Sequence, residues 1–597
     1  MNKIKLLPYG ISDFVSIRER NLYYVDKTMY LPILEVMCPS IVFFIRPRRF
    51  GKSSFITMLK AYYDKKMVDR FDELFGGLYI HENYTENKHG YQVLHFDFSR
   101  IGGDISVLEN NFNAYCNGVI HEFLRYYLDE YEDDVVEEIF EADRAADKLN
   151  LIHNYAKRKR IPLYLIIDEY DNFTNTVLNE EGHAVYHSIT HASGFYRDVY
   201  KLFKGMFERI FLTGISPVTL DDLTSGFNIG TNVSQYPKLN NMLGFSTEDV
   251  HQMFEYYKEA GMLPQTIDID QAIADMRPWY DNYCFSELCL EKERIFNTDM
   301  VLYFLNQYIN KGVAPKNLID PNTRTDYKKL KKLLNLDQLD GNRKGVIMKI
   351  AEEDEILGTI EETFPAERLT DPNIFISLIY YYGMLTIKGE KGQRLRLGIP
   401  NNNVRKQYYE YLLEQYNERA TIDSTILDNA FDSMAFDGDW RGIFQYIANA
   451  YKENSSVRST IEGERNIQGF FTALLSLNNY YLLAPELEFS HGYCDFFLLP
   501  DHRVYKATHS YIIELKYLRK GESEAKAESQ WQEALEQIER YAADEKLQSM
   551  LNGTTLHKIV AQFSGWEMVR IEETPSVPQK TPSFPLKETP SFPLKGG

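Results

Sequence analysis

Cysteine is scarce in this chain and follows no binding pattern. There are five, Cys38, Cys116, Cys284, Cys289 and Cys494, with no C-x-x-C pair and no zinc spacing. An odd number of thiols in mostly apolar surroundings argues against a disulfide scaffold and for a reducing compartment. Long apolar runs are missing too. No stretch approaches the roughly 18 residues that a membrane helix needs, so no membrane partner is expected. The start, MNKIKLLPYG, lacks the apolar core of a secretory signal, and the expected location is cytoplasmic. Positive charge is in deficit: 66 Lys and Arg face 86 Asp and Glu, a net charge of -20. That argues against a broad nucleic-acid surface but leaves local basic fields open.

What is present suits a folded protein of about three or four domains. Of 597 residues, 44% are hydrophobic and 25% charged, and 43 Tyr with 36 Phe predict aromatic-rich cores. Nine of those acids lie within residues 129–143 with no basic neighbour, which reads as a solvated helical face.

The chain is organised around residues 41–57, IVFFIRPRRFGKSSFIT. A buried strand breaks at Pro47-Arg48-Arg49, and Gly51-Lys52-Ser53-Ser54 opens a helix with apolar spacing at Phe55, Met58 and Leu59. Strand, loop, Gly-Lys-Ser and helix are the context of a phosphate-binding loop. N–H groups at the helix start cradle phosphate oxygens, Lys52 reaches the outer phosphates, and Ser53 is positioned to ligate Mg²⁺. Arg46 stands where the usual G-x-x-x-x-G-K-[ST] pattern has its first Gly.

Further strands are expected at residues 91–98, 161–167 and 209–213, with helices over about 106–158. Residues 21–30 read as a short aromatic strand and a turn at Asp26-Lys27-Thr28, either covering an adenine ring or packing on the sheet. Asp168 and Glu169 arrive where the 161–167 strand leaves the sheet. A carboxylate there, beside a phosphate loop, is the geometry of magnesium nucleotide chemistry. Asp168 is expected to hold Mg²⁺ and Glu169 to polarise the attacking water, with Thr213 or Ser216 sensing the terminal phosphate. Strand–helix alternation predicts a mostly parallel, three-layer sheet of about five strands.

Residues 245–310 read as helical, and the basic stretch 327–334, YKKLKKLL, as a solvated helix face. Residues 371–415 combine a helix, a hairpin around 385–399 and a second helix. A second chemical centre follows. Strands are expected at 479–483, 492–499 and 511–516, with Asp495 at the start of one and Glu514 and Lys516 on a shared face of the next. An Asp and a Glu from adjacent strands with a Lys beside them suit Mg²⁺-dependent phosphodiester cleavage. Glu464, at the start of the preceding helix, completes an acidic cluster. An ordinary hairpin with a Glu–Lys face pair is the alternative.

Several stretches carry a resemblance: Tyr24-Val25-Asp26-Lys27-Thr28, Arg46-Pro47-Arg48-Arg49-Phe50-Gly51-Lys52-Ser53, Ile167-Asp168-Glu169-Tyr170-Asp171, Leu212-Thr213-Gly214-Ile215-Ser216 and Trp279-Tyr280-Asp281-Asn282-Tyr283. In these, residues 5–285 resemble the bacterial AAA-ATPase-like family, in which the RPRRFGK form of the loop is normal. The resemblance implies ATP and Mg²⁺ as cofactors, with Arg48, Arg49, Phe50, Gly51, Lys52, Ser53, Ser54, Asp168 and Thr213 around the nucleotide. Asn282 stands where that family usually has Gly, and Phe296-Asn297-Thr298 replaces an Asn-Pro-Trp-like segment.

Residues 455–570 resemble the PD-(D/E)xK nuclease domain that accompanies this ATPase. The resemblance implies metal and catalytic roles for Glu464, Asp495, Glu514 and Lys516, and puts Gln537 on the family's helix-borne Gln position. The tail carries three Pro-rich heptads, TPSVPQK and two copies of TPSFPLK, which predict an extended mobile segment. It is either a repeat expansion or a site for a protein partner.

The expected architecture is α/β: a P-loop ATPase domain over 1–244 and a helical lid and linker with a winged-helix-like module over 245–454. A restriction-endonuclease-like domain over 455–573 and a disordered tail over 574–597 complete it. The expected function is an ATPase gating a Mg²⁺-dependent nuclease, with DNA as the first substrate and RNA not distinguished. The alternative is a non-cleaving nucleotide switch whose nuclease fold docks nucleic acid or protein. Homo-oligomerisation is an open expectation, and no arginine finger is legible.

Overall fold

The computed structural model describes residues 4–218 (except 173, 176, 178–182, 191–193 and 204), 230–320 (except 293 and 316), 343–417, 423–453 and 464–574 (except 479, 490–491, 502–504 and 552). The basic stretch 327–334 and the Pro-rich repeats from residue 575 onward lie outside them. The chain forms two compact units, Met1–Leu412 and Leu413–Gly597.

The first unit is built on five strands: β1 (Ile41–Ile45), β2 (Gln92–Asp97), β3 (Leu163–Asp168), β4 (Arg209–Gly214) and β5 (Thr231–Asn232). Their order is β2-β3-β4-β1-β5, and every pairing is parallel. All five residues of β1 and all six of β3 are buried, as a sheet covered on both faces requires. Parallel strands need crossovers, supplied here by the helices Lys52–Tyr63, Ile105–Tyr126, Asp133–Glu141 and Ala145–Lys159. All loops that matter below leave the C-terminal ends of these strands. The fifth strand is only two residues long, too short for any periodicity to announce it.

The aromatic strand expected at residues 21–30 is not there. Leu22 makes one isolated bridge to Leu6, and a helix begins at Tyr30. With a single bridge to pair it, the segment stays an extended arm. Helices Thr247–Glu259, Ile269–Tyr280 and Thr298–Lys311 follow. Next comes a smaller module in the order helix (Arg343–Glu353), β6 (Glu355–Gly358), helix (Pro372–Tyr381), β7 (Thr386–Lys391) and β8 (Arg394–Gly398). Its antiparallel sheet runs β6-β8-β7.

The second unit holds a mixed sheet of β9 (Tyr481–Phe489), β10 (Gly492–Pro500), β11 (His509–Leu518), β12 (Thr555–Ser564) and β13 (Glu567–Glu573), ordered β13-β12-β11-β10-β9. Only β11 and β12 run parallel, joined across the helix Glu524–Ala542. Trp531, Ala534 and Ile538 of that helix pack on Ile512 and Val560. The opposite face carries Phe444, Phe471, Phe496, Ile513 and Phe563. This unit starts earlier than residue 455, because Leu427, Phe431, Trp440 and Ile443 bury their side chains in the same core.

Candidate functional site

The loop between β1 and its helix has two faces with different chemistry. Its carbonyls are engaged from within and from without: Lys52 Nζ, at the loop's own helix start, donates to Arg46 O and Pro47 O, each at 3.1 Å. Asn297 Nδ2 donates to Arg48 O at 3.4 Å, the Asp299 N–H to Arg49 O at 3.2 Å and Thr298 Oγ1 to Phe50 O at 3.2 Å. Arg49 also pairs with Asp299 at 2.5 Å. The helix begins at Lys52 behind Gly51, which has no side chain to cap it and sits at φ 91°. Its first-turn N–H groups therefore face the loop's concave side, where an anion is stabilised.

Arg46 is not part of that concavity. It is 1% exposed, donates to Ile45 O, Ser234 O and Leu239 O, and lies between the rings of Phe44 and Phe285 at 4.3 and 4.2 Å. Burial lowers its pKa to about 10. It is a strut fastening the end of β1 to the following layer.

Asp168 ends β3 and reaches the loop directly, its Oδ2 accepting from Ser53 Oγ at 2.8 Å. Its Oδ1 is buried and has no hydrogen-bond partner among the described residues. Such an orphan costs about 1–3 kcal/mol. Burial first, then the neighbouring Glu169 carboxylate, push the Asp168 pKa up to about 7. Glu169 sits at φ 51° and lies 3.6 Å from Lys52 Nζ. Left-handed backbone at Glu169 and at Arg49 (φ 68°) stores strain in the two loops that carry the charged groups.

Ser53, Asp168, Lys52 and Glu169 thus form one cluster. Hydroxyl oxygen plus carboxylate is a hard-oxygen donor set, and the orphan Oδ1 gives it an open ligand position, so these residues fit Mg²⁺. Thr213 is buried next to them, but its hydroxyl donates to Phe44 O at 2.7 Å. Ser216 is likewise buried, its Oγ accepting from the Val218 N–H, while Asp171 accepts from the Ile215 and Ser216 N–H groups.

Beside Gly51 and Ser54 opens a largely apolar cavity lined by Tyr23, Val25, Phe50, Met242, Phe245 and Met253, among others. The N-terminal arm forms one wall and residues 242–253 the other. The sequence left the 21–30 segment open between covering an adenine ring and packing on the sheet; the second wall had no motif to mark it.

In the second unit Lys516 Nζ donates to Glu514 Oε1 at 2.8 Å, and Glu514 is 3% exposed. Both lie on the face of β11 that Ile512 turns toward the helix Glu524–Ala542. Asp495 is the fourth residue of β10 rather than its first. Its carboxylate accepts from the Leu515 N–H at 2.5 Å and from Gln468 Nε2 at 2.6 Å. Gln468 is a contact that no spacing indicated. Gln537 Oε1 is buried without a hydrogen-bond partner among the described residues, and Tyr541, one turn on, lies in the field of Glu514 and Lys516. Glu464 opens the helix Glu464–Leu475. Among the described residues no group of three or more His, Cys, Asp or Glu side chains is gathered closely enough to hold a metal. Two carboxylates, one of them with its neighbouring Lys bound to it, fit a divalent cation as a partial donor set.

A P-loop closing on a strand-end carboxylate, on an all-parallel sheet, defines the first unit as a P-loop α/β nucleotide-binding fold. Residues 8–224 match the family model described as Predicted AAA-ATPase, and residues 462–573 match the PD-(D/E)XK nuclease superfamily. The chain joins one segment of each. It is 25% identical over 308 residues to an uncharacterized protein in the vnfD 5′ region of Azotobacter chroococcum mcd 1, covering 50% of this chain and 52% of that one. The chain thus spans about half the length of the curated relative it matches. Similar solved structures include Cdc6p from Pyrobaculum aerophilum (12% identity, TM-score 0.24, covering 65% of this chain and 92% of that chain). Another is the Aeropyrum pernix ORC2 protein (10%, TM-score 0.30, 64% and 90%). At these scores the likeness carries no argument, and the fold rests on the sheet itself.

Proposed function

We propose that the chain binds and hydrolyses ATP with Mg²⁺ in its first unit, and that the nucleotide state gates phosphodiester cleavage, first of DNA, in its second. The observation that carries the nucleotide reading is the buried Oδ1 of Asp168, without a partner among the described residues, whose Oδ2 is bonded to Ser53 beside Lys52. When bound, Mg²⁺ supplies charge neutralisation for the phosphates. Ser53 and Asp168 hold the ion, and the first-turn N–H groups hold phosphate oxygens. Lys52 exchanges its loop carbonyls for the outer phosphates, Glu169 accepts a proton from the attacking water, and the apolar cavity takes the adenine. In this reading residues 1–244 are the ATPase domain and 245–412 its lid and winged-helix-like linker, while the helices over 424–453, expected as part of that linker, belong to the core of the second unit. Residues 455–573 are the nuclease domain, in a cytoplasmic protein.

In the second unit Glu514 and Asp495 hold the divalent ion, with Glu464 completing the set. Lys516 steadies the attacking water or the developing phosphate charge, and Gln537 orients the backbone. The direct Lys516–Glu514 ion pair, which ties the lysine to the carboxylate, favours one second reading, a nucleotide switch whose nuclease fold docks nucleic acid or protein without cutting it. Purified protein with radiolabelled ATP and Mg²⁺ tests the first unit. Lys52→Ala and Glu169→Gln are expected to lower hydrolysis at least a hundredfold. Hydrolysis unchanged in both variants contradicts the assignment.

A further inference from the structure

The two walls of the apolar cavity belong to segments far apart in sequence, and few polar contacts join them. Tyr23 packs on Tyr256 and Tyr257, with ring centroids 5.0 and 5.7 Å apart. Four residues further along the arm, Lys27 Nζ pairs with Asp249 Oδ2 at 2.9 Å. The pair is well shielded, with 14% and 22% of the two side chains exposed. Lys27 also lines the cavity itself. Asp249 does a second job with the same oxygen: it accepts from the Ser246 N–H at 2.9 Å in the capping box of the helix Thr247–Glu259. The acceptor is therefore rigidly placed, and the lysine's backbone is fixed beside it, Asp26 accepting from the Tyr79 N–H and Thr28 Oγ1 from the Ile80 N–H, so any parting of the pair falls to the lysine side chain.

We propose that the Lys27–Asp249 ion pair is a latch across the mouth of the base cavity, and that Lys27 is a positioning residue which sets how long a nucleotide stays bound. This rests on the nucleotide reading given above. Tyr23 stacking and a hydrogen bond from the Lys5 N–H to the Tyr256 hydroxyl (2.7 Å) hold the start of the arm near the helix. The ion pair is directional, and closes the wall formed by Tyr23, Tyr24 and Val25 against Met242–Phe245 and Met253. Entry and exit of a base require the pair to part. Neither partner lies in the Lys52–Asp168 cluster, so the latch acts on residence and leaves the phosphate chemistry intact.

Stopped-flow release of a fluorescent ATP analogue from the full chain tests this. Lys27→Met is expected to raise the dissociation rate about tenfold. Asp249→Asn keeps an acceptor for the Ser246 N–H while removing the charge, and is expected to give the same rise. The double variant is expected to release no faster than either single one, and Lys27→Arg to restore slow release. A merely structural role predicts effects that add, and a lowered melting temperature that tracks the release rate. Wild-type release from Lys27→Met, while Lys52→Ala no longer binds, overturns the latch and leaves the nucleotide reading standing. No binding of the analogue by the wild-type chain overturns both.

Discussion

Arg46 illustrates what single residues do here that a motif cannot say. The pattern counts it as a missing glycine, whereas the fold uses it to satisfy three backbone carbonyls and to fill the gap between two rings. Restoring the pattern with Arg46→Gly is therefore expected to destabilise the chain by roughly 3 kcal/mol, since it strands buried acceptors and opens a cavity. Chemical denaturation measures this; unchanged stability contradicts the strut. Asp168 makes the opposite point. Its position beside the loop was legible from a strand that ends in Asp-Glu, but its protonation was not, because burial is a property of the assembled site. Its folded pKa of about 7 lies well above the ordinary aspartate value of 3.8. The stabilisation linked to its proton is thus complete below about pH 4 and lost as pH rises through 7. In metal-free protein, Asp168→Asn is expected to be more stable than wild type at pH 8 by on the order of 2 kcal/mol. The difference should vanish near pH 4. Melting curves at the two pH values check the sign.

At the scale of elements, the strands were the most legible part. Buried parallel strands write themselves as apolar runs, and β1, β3 and β4 fall within a few residues of their expected bounds. What the runs do not encode is which distant segment braces a loop. The clasp by Asn297, Thr298 and Asp299 is one such brace, and the departure at Phe296-Asn297-Thr298 was its only trace. Asn282, where the resembled family carries Gly, takes φ 79°, a conformation that Asn tolerates better than other side chains do. Gly383 is a second brace. It follows the helix Pro372–Tyr381 at φ 77°, and a Cβ there would stand 2.7 Å from Pro47 of the phosphate loop. That helix is buried from Ile374 to Tyr381, so it serves as a core strut. Gly383→Ala is expected to cost about 1–3 kcal/mol and to weaken ATP binding, because Pro47 must shift. Calorimetry with ATP and Mg²⁺ reads both effects. Wild-type affinity in the variant would separate the small module from the loop.

The molecule as a whole carries two chemical centres in two separately compact units. Both were legible as local patterns, the loop with Asp-Glu and the Glu-x-Lys strand. Their surroundings were not. Gln468, which holds Asp495, lies one element away with no spacing to tie it to the site, and the helices over 424–453 join the second core through scattered apolar positions. The net charge of -20 gives no hint of either centre, since each depends on a local field. In the proposed function a nucleotide in the first unit controls cleavage in the second. The most direct measurement of that control is Mg²⁺-dependent cutting of plasmid and single-stranded DNA, with RNA alongside, at zero and saturating ATP. The account predicts cutting by the wild type at a rate that depends on ATP. It predicts ATP-independent cutting by Lys52→Ala, and at least a hundredfold loss in Asp495→Ala and Lys516→Ala with ATP hydrolysis retained. No cleavage of any nucleic acid by wild-type protein, or equal cleavage by Lys516→Ala, would contradict it.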